Sequence, residues 1–414
     1  MSNPLECRFC HQELTQTLVD LGSMPLANSY LKDKGSIATE KSYPLHARVC
    51  ENCFLVQVEE VVPAEEIFSD YAYFSSFSAS WVEHARKYAD RLTAKLNLDR
   101  NSLVMEIASN DGYLLKHFVD KDIPVLGIEP AANVARAAET AGVKTEVAFF
   151  GLDTAKRLAD TGIKADLMAA NNVMAHVPDI NDFIGGFPIL LSPTGVLTIE
   201  FPHLLNLIEK VQFDTIYHEH YSYLSLLTVE KILTAHGLRV FDVEELPTHG
   251  GSLRIYACHR DCETYSEGDG LISVRTKENA AGLASLTAYQ NFTPKVETAR
   301  SSLRSFLKKA KAEGKTVVAY GAAAKGNTLL NFCGIGPDDI RFVVDRNPEK
   351  QDTLLPGSHI PVFAPDKIWQ VKPDYVLILP WNLADEIASE MSAVSDWGGR
   401  FAIPIPELRL LPCK

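Results

Sequence analysis

The chain has 414 residues, 46% of them hydrophobic and 22% charged, and carries a formal net charge of −13. That balance excludes disorder, collagen and coiled coil as descriptions of the whole chain, and it supplies material for several cores. The excess of acid argues against general nucleic-acid binding, which needs a basic surface, but leaves room for a local site that holds one small anion. No run of residues approaches the roughly 18 apolar positions of a membrane-spanning helix, so no membrane partner is expected. The opening MSNPLECRFC has neither the basic nor the apolar segment of a secretory signal, so a cytoplasmic location is expected. Structural disulfides are then not expected among the eight cysteines.

In chain order, residues 1–66 read as turns and short strands. They hold two C-x-x-C pairs, Cys7 with Cys10 and Cys50 with Cys53. Two such knuckles place four thiolates as a tetrahedral Zn²⁺ requires, and four protein ligands leave no open position, so the site is expected to be structural. His11 and His46 lie beside the knuckles, but two complete pairs leave them no ligand to replace. Cys258, Cys262, Cys333 and Cys413 follow no ligand spacing.

Helical periodicity over 78–97 (Trp81, Ala85, Tyr88, Ala89, Leu92) introduces an alternating series within 67–260. Strands are expected at 103–108, 125–129, 165–171 and 195–201, with helices at 113–120 and 131–142. This is the βαβ rhythm of a doubly wound parallel sheet, closed by an antiparallel pair, LRVFDVEEL and SLRIYACH. Long helices are expected over 270–313. A second βα series follows, with strands at 316–321, 340–345 and 375–380, so 261–414 reads as a second Rossmann-like unit.

Loops at the carboxyl ends of parallel strands are where such sheets bind ligands. The first, Glu106 to Gly112, includes Ser109, Asn110 and Asp111 and lacks the G-x-G-x-x-G of dinucleotide sites. Polar side chains and an acid suit a ligand without phosphate and with a cationic group, as S-adenosyl-L-methionine (SAM) is. Glu129, followed by Pro130, ends the second strand, where a carboxylate accepts from both ribose hydroxyls. Asn171 and Asn172 stand at the end of the strand expected over 165–171.

A second concentration, Asp214 to Tyr221, packs Tyr217, His218, Glu219 and His220 together. H-E-H does not match the H-E-x-x-H of zinc proteases. An extended or turn conformation is expected to put Tyr217 with Glu219 on one face and His218 with His220 on the other. In the C-terminal unit, Gly321 to Asn327, with Lys325 and Gly326, follows Tyr320 at a strand end and opens a helix. Its amides and Lys325 favour a diphosphate, although it is not a Walker A loop.

CxxC…CxxC, YAYFSS (71–76), EIASNDGYLL (106–115), NNVMAHVPD (171–179), FDTIYHEHYSYLS (213–225), HGGSLR (249–254) and YGAAAKGNTLLN (320–331) occur in one order. Together they resemble the SAM-dependent nucleotide-sugar C-methyltransferases, the family of the tetronitrose C-3′-methyltransferase. The resemblance implies a zinc module, a central class I SAM domain, and a C-terminal Rossmann-like domain that helps bind a nucleoside-diphosphate 4-keto-sugar. It implies His220 as the base. Tyr217 and His176 then position the sugar or steady the enolate oxygen, and Glu219 orients His220 or binds the sugar. Tyr73, or Tyr71 beside it, reaches the sugar, and Tyr320, Gly321, Lys325, Gly326 and Asn327 hold the sugar nucleotide. A monomer or weak homo-oligomer is expected. Two competing readings are an NAD(P)-dependent oxidoreductase, weakened by the missing fingerprint, and a non-catalytic SAM-fold binding protein, weakened by the intact H-E-H cluster.

Overall fold

The computed structural model describes residues 5–63 and 75–411. Tyr71 and Tyr73, the 66/67 boundary and Cys413 lie outside them.

Three sheets share the chain. The first is antiparallel, in the order β1 (Gln16–Met24), β2 (Tyr43–Val49), β3 (Val56–Gln57), β9 (Ser222–Tyr223). Its period-2 pattern is plain in β2, where Leu45, Ala47 and Val49 are buried and their neighbours are not. Its fourth strand comes from far along the chain: Val56 pairs with Tyr223 and Gln57 with Ser222. The residues just after the H-E-H triplet therefore complete the N-terminal module.

The second sheet runs β10-β11-β8-β7-β4-β5-β6, with β4 Val104–Ile107, β5 Val125–Ile128, β6 Thr145–Glu146, β7 Ala165–Asn171, β8 Leu191–Pro202, β10 Leu238–Leu246 and β11 Ser252–His259. β4 to β8 are parallel, and β11 is antiparallel to both β8 and β10. This is the expected βαβ series with its antiparallel closing pair. The central strands are covered on both faces and so read as apolar runs rather than alternations. The helix Ala79–Leu96 starts at Ser78, whose hydroxyl accepts from the Trp81 amide, and ends at left-handed Asn97. It buries Ala85, Tyr88, Ala89 and Leu92, the positions its periodicity selects. The helix expected over 113–120 is shorter, Lys116–Val119, because Tyr113 to Leu115 wrap as a turn. The helix Asp269–Ala280 packs on β10 and adds Leu271 and Val274 to the central sheet's core.

The third sheet runs β14-β13-β12-β15-β16-β17, with β12 Val317–Tyr320, β13 Val343–Val344, β14 Val362–Phe363, β15 Tyr375–Ile378, β16 Arg400–Ile403 and β17 Arg409–Leu410. All its pairs are parallel except β16 with β17. One apolar core runs from Leu18 and Leu45 through Phe213 and Ile216 to Leu330 and Val343, so the N-terminal sheet and the C-terminal unit are packed as one body. Among the described residues, no helix is long and apolar enough to cross a membrane.

Candidate active site

The carboxyl ends of both parallel sheets open onto one cleft of about 1020 Å³. The loops after β4, β5 and β7 form one wall, residues 323–325 and 380–386 another, and Asn28 with the Tyr217–Tyr223 segment the floor.

On the first wall the chain is held in sparsely populated backbone. Ala108 (φ 56°), Asn110 (φ 49°) and Gly112 (φ 78°) are all left-handed, and so is Asn172 (φ 54°). At Gly112 a Cβ would fall 2.9 Å from the Val143 side chain, so only glycine fits. Hydrogen bonds fix the loop. Glu129 Oε2 accepts from the Asn110 amide and Oε1 from the Ala131 amide, both at 2.9 Å. Asn110 Oδ1 accepts from Ser75 N at 2.8 Å, and Asp111 Oδ2 from Ser76 N at 3.0 Å.

Asn110, Glu129, Pro130, Asn171 and Asn172 face the cleft, while Glu106, Ser109, Asp111 and Gly112 stand behind them. Burial pushes the Glu106 carboxyl well above the usual range, against a pull from the Tyr113 hydroxyl. Burial likewise raises Glu129, against its two amide bonds. Several buried polar atoms here have no partner among the described residues: Asn171 Oδ1, both amide atoms of Asn172, and Asp111 Oδ1. Such atoms are costly unless a ligand satisfies them. A strand-end carboxylate, orphaned amides and the apolar Ile128, Phe149 and Val173 fit the ribose, methionine and adenine parts of SAM.

On the floor, the H-E-H segment is a turn, with the His220 amide bonded to the Tyr217 carbonyl at 3.0 Å. This corrects the face assignment read from the sequence. Tyr217 and His220 come together, Oη to Nε2 at 2.8 Å. Glu219 accepts from Asn28 Nδ2 at 2.7 Å, and His218 Nε2 donates to the Tyr43 carbonyl at 3.3 Å. His220 Nδ1–H donates to the Thr215 carbonyl at 3.2 Å, so Nε2 carries the lone pair that Tyr217 meets. Thr215 and Tyr217 therefore orient His220, while the Glu219 side chain is bonded to Asn28 instead.

Burial holds the His220 pKa well below its ordinary value, and the edge-on ring of His176, 4.6 Å away, adds to this. His176 Nδ1–H donates to the Glu219 carbonyl at 2.7 Å, and burial lowers its pKa to about 4. It is a neutral ring whose Nε2 is an acceptor, which does not suit it to steady an enolate oxygen. Burial pushes the Glu219 carboxyl up to about 7.

On the second wall Lys325 reaches Asn382 Oδ1 at 2.6 Å and lies 4.7 Å over the Trp381 ring. Burial lowers its pKa, with Asp214 opposing. Of the five residues expected to hold a sugar nucleotide, Lys325 alone lines the cleft. Tyr320 is in the core behind it. Gly321 (φ 91°) makes the turn against Pro380, and Gly326 packs on Leu379. Asn327 donates to the Ala27 carbonyl at 2.6 Å, which ties this helix to the N-terminal module. The Ala322 amide, one of the amides expected to meet a diphosphate, is given to Asp345 at 2.7 Å.

Asn28, Trp81, His84 and His249 also line the cleft, although the sequence reading gave none of them a site role. His84 stacks on Trp81 and bonds Glu200 at 3.1 Å. Burial raises Glu200, but His84 and Arg254 outweigh it and hold the carboxyl at about 2. His249, left-handed at φ 54°, meets the Trp81 ring edge-on.

Away from the cleft, the four sulfur atoms of Cys7, Cys10, Cys50 and Cys53 lie within 4.8 Å of one another, with the 7–53 and 10–50 pairs at 3.5 Å. Four thiolates about 2.3 Å from one zinc ion sit roughly 3.8 Å apart, so the cluster fits that ion. Gln57 Nε2 donates to Cys7 Sγ at 3.2 Å and holds the Arg8 amide with its oxygen, an outer partner that orients the ligand.

Comparison with known proteins agrees with this geometry. Residues 7–68 match a family described as "Putative zinc binding domain", 81–243 a methyltransferase domain, and 247–406 the C-methyltransferase C-terminal domain. C-methyltransferase NovU of Streptomyces niveus is 36% identical over 409 residues, which cover 99% of this chain and 97% of that protein. Ubiquinone biosynthesis O-methyltransferase of Rhodopseudomonas palustris (strain BisA53) is 27% identical over 114 residues, 28% of this chain and 45% of that one. Among solved structures, magnesium protoporphyrin IX methyltransferase (ChlM) from Synechocystis PCC 6803 with bound SAH has 16% identity and a TM-score of 0.35, covering 43% of this chain and 83% of that one. With 36% identity to NovU over almost its full length, a methyltransferase domain and a tetrathiolate cluster in place, the chain belongs to the SAM-dependent C-methyltransferase family and carries its N-terminal zinc site.

Proposed function

We propose that this C-methyltransferase acts at C3 of a nucleoside-diphosphate 4-keto-deoxysugar, dTDP-linked by preference, with His220 as general base. The observation that carries the reading is the Tyr217–His220 pair on the cleft floor, with the Thr215 carbonyl on Nδ1 leaving His220 Nε2 as the acceptor. Carbon is methylated as a nucleophile, and a sugar C–H becomes acidic only beside a carbonyl, so a 4-keto group is what makes C3 reactive. SAM, when bound, supplies an electrophilic methyl group.

The chain's residues do the rest. Binding of the sugar turns the Tyr217 hydroxyl from Nε2 onto a sugar oxygen. His220 then takes the C3 proton, and the Thr215 carbonyl stabilises the imidazolium that forms. The low pKa of free His220 keeps it unprotonated and ready at neutral pH. Glu129, Asn110, Asn171 and Asn172 hold the cofactor, and Lys325 faces the diphosphate. The closed cleft excludes water and holds C3 in line with the methyl group.

His220→Asn should fold and bind both SAM and the sugar nucleotide, yet lose about 10²–10⁴-fold in turnover. The wild type should exchange the C3 hydrogen with solvent deuterium when S-adenosylhomocysteine fills the site, and His220→Asn should not. Wild-type exchange in that variant would move the base role elsewhere.

A further inference from the structure

The reaction just proposed needs a hydrogen-bond donor at the C4 oxygen, where negative charge collects as the C3 proton leaves. The two histidines at the base do not provide it, and the Tyr217 hydroxyl, turned onto a sugar oxygen, is at most one donor. His176 has committed its Nδ1–H to the Glu219 carbonyl and is held neutral. His220 has committed its Nδ1–H to Thr215 and must itself receive the proton.

Two residues beyond the base stands Ser222. It is 1% exposed and lines the cleft, and its Oγ has no hydrogen-bond partner among the described residues. Its backbone is in β9, and the chain is already paired at Tyr221, whose carbonyl accepts from the Val58 amide. Tyr221 hydrogen-bonds the Val62 carbonyl and does not line the cleft, whereas Ser222 and Tyr223 both line it, Tyr223 with its hydroxyl held on the Tyr217 backbone. β9 packs directly against residues 174–176, which bring His176 to the base. Serine can donate as well as accept, and a buried hydroxyl left unsatisfied costs free energy unless something binds to it.

We infer that Ser222 is a catalytic donor: its hydroxyl hydrogen-bonds the C4 oxygen of the 4-keto-sugar as that oxygen becomes an enolate. As the C3–H bond breaks, the proton passes to His220 Nε2 and the electron pair moves through C3–C4 onto the oxygen, which the Ser222 O–H holds. The inference rests on the 4-keto-sugar reading of the site.

The test uses the full-length protein and a dTDP-4-keto-deoxysugar, with S-adenosylhomocysteine for the exchange measurement and SAM for the methylation measurement. Ser222→Ala should melt no lower than the wild type, because it removes an unpartnered buried hydroxyl, and should bind S-adenosylhomocysteine unchanged. It should nonetheless lose about 10²-fold in both solvent exchange at C3 and methylation. Ser222→Thr, which keeps the hydroxyl, should recover most of both. Wild-type exchange in Ser222→Ala, or equal loss in the alanine and threonine variants, would overturn the role of Ser222 while leaving the proposed reaction intact. A wild type that neither exchanges nor methylates 4-keto-sugars would instead overturn the reaction, and this role with it. Should Ser222→Ala fail to fold, the hydroxyl is structural and the inference fails.

Discussion

Glu129 makes two amide bonds at 2.9 Å and also faces the cleft, so its replacements should separate two effects. Glu129→Ala frees two loop amides and removes the proposed ribose acceptor. It should weaken S-adenosylhomocysteine binding in calorimetry by about 1–3 kcal/mol. Glu129→Gln keeps one strong acceptor for the loop and should fall between that variant and the wild type.

The pH profile belongs to the same scale. The pKa of His220 lies well below its ordinary value, so the base form persists as pH falls and kcat/KM should not decline with a histidine limb near 6.5. Glu219, raised to about 7, ionises as pH rises through neutrality. A limb near 7 that disappears in Glu219→Gln would belong to that carboxyl, and one that survives the substitution would belong to another group.

Individual elements differ in how far the sequence announces them. The C-x-x-C pairs, the strand-end acids and the antiparallel closing strands follow from local spacing and periodicity, and the structure has all three. Partners fixed by distant chain could not be read that way. Asn28 meets Glu219 across 191 positions, Asn327 meets Ala27 across 300, and Trp381 donates to Asp214 across 167. No periodicity encodes such pairs. The Tyr217–His220 contact escaped for another reason: one alternating face rule was applied to an extended or a turn segment alike, whereas the turn closed by the His220 amide on the Tyr217 carbonyl brings together residues three apart.

The loop after β4 carries its own prediction. Gly112→Ala adds a methyl group at φ 78° and 2.9 Å from Val143. It should cost about 2–4 kcal/mol, read as a lower melting temperature together with weaker S-adenosylhomocysteine binding.

Over the whole molecule, zinc and catalysis are mechanically joined. Cys7, Cys50 and Cys53 sit in the same apolar cluster as Ile107, Ile199 and Leu224 of the central unit. Thr228 Oγ1 also donates to the Cys53 carbonyl at 3.2 Å. Metal removal should therefore do more than unfold the first 60 or so residues. Titrating a strong chelator while following zinc release and methyl transfer should show activity lost in step with the metal. Full activity in the metal-free protein would separate the two.

The pairing of β3 with β9 also constrains the order in which the protein can be made. Until Ser222 and Tyr223 leave the ribosome, Val56 and Gln57 present an uncovered strand edge, the kind of template that recruits foreign strands. At 5–20 residues per second, the chain between Gln57 and Ser222 takes on the order of 10–30 s to emerge. Throughout that interval the nascent N-terminal sheet lacks its last strand. The strand that completes it arrives directly behind His220, so the Tyr217–His220 turn and the last strand of the N-terminal sheet emerge together.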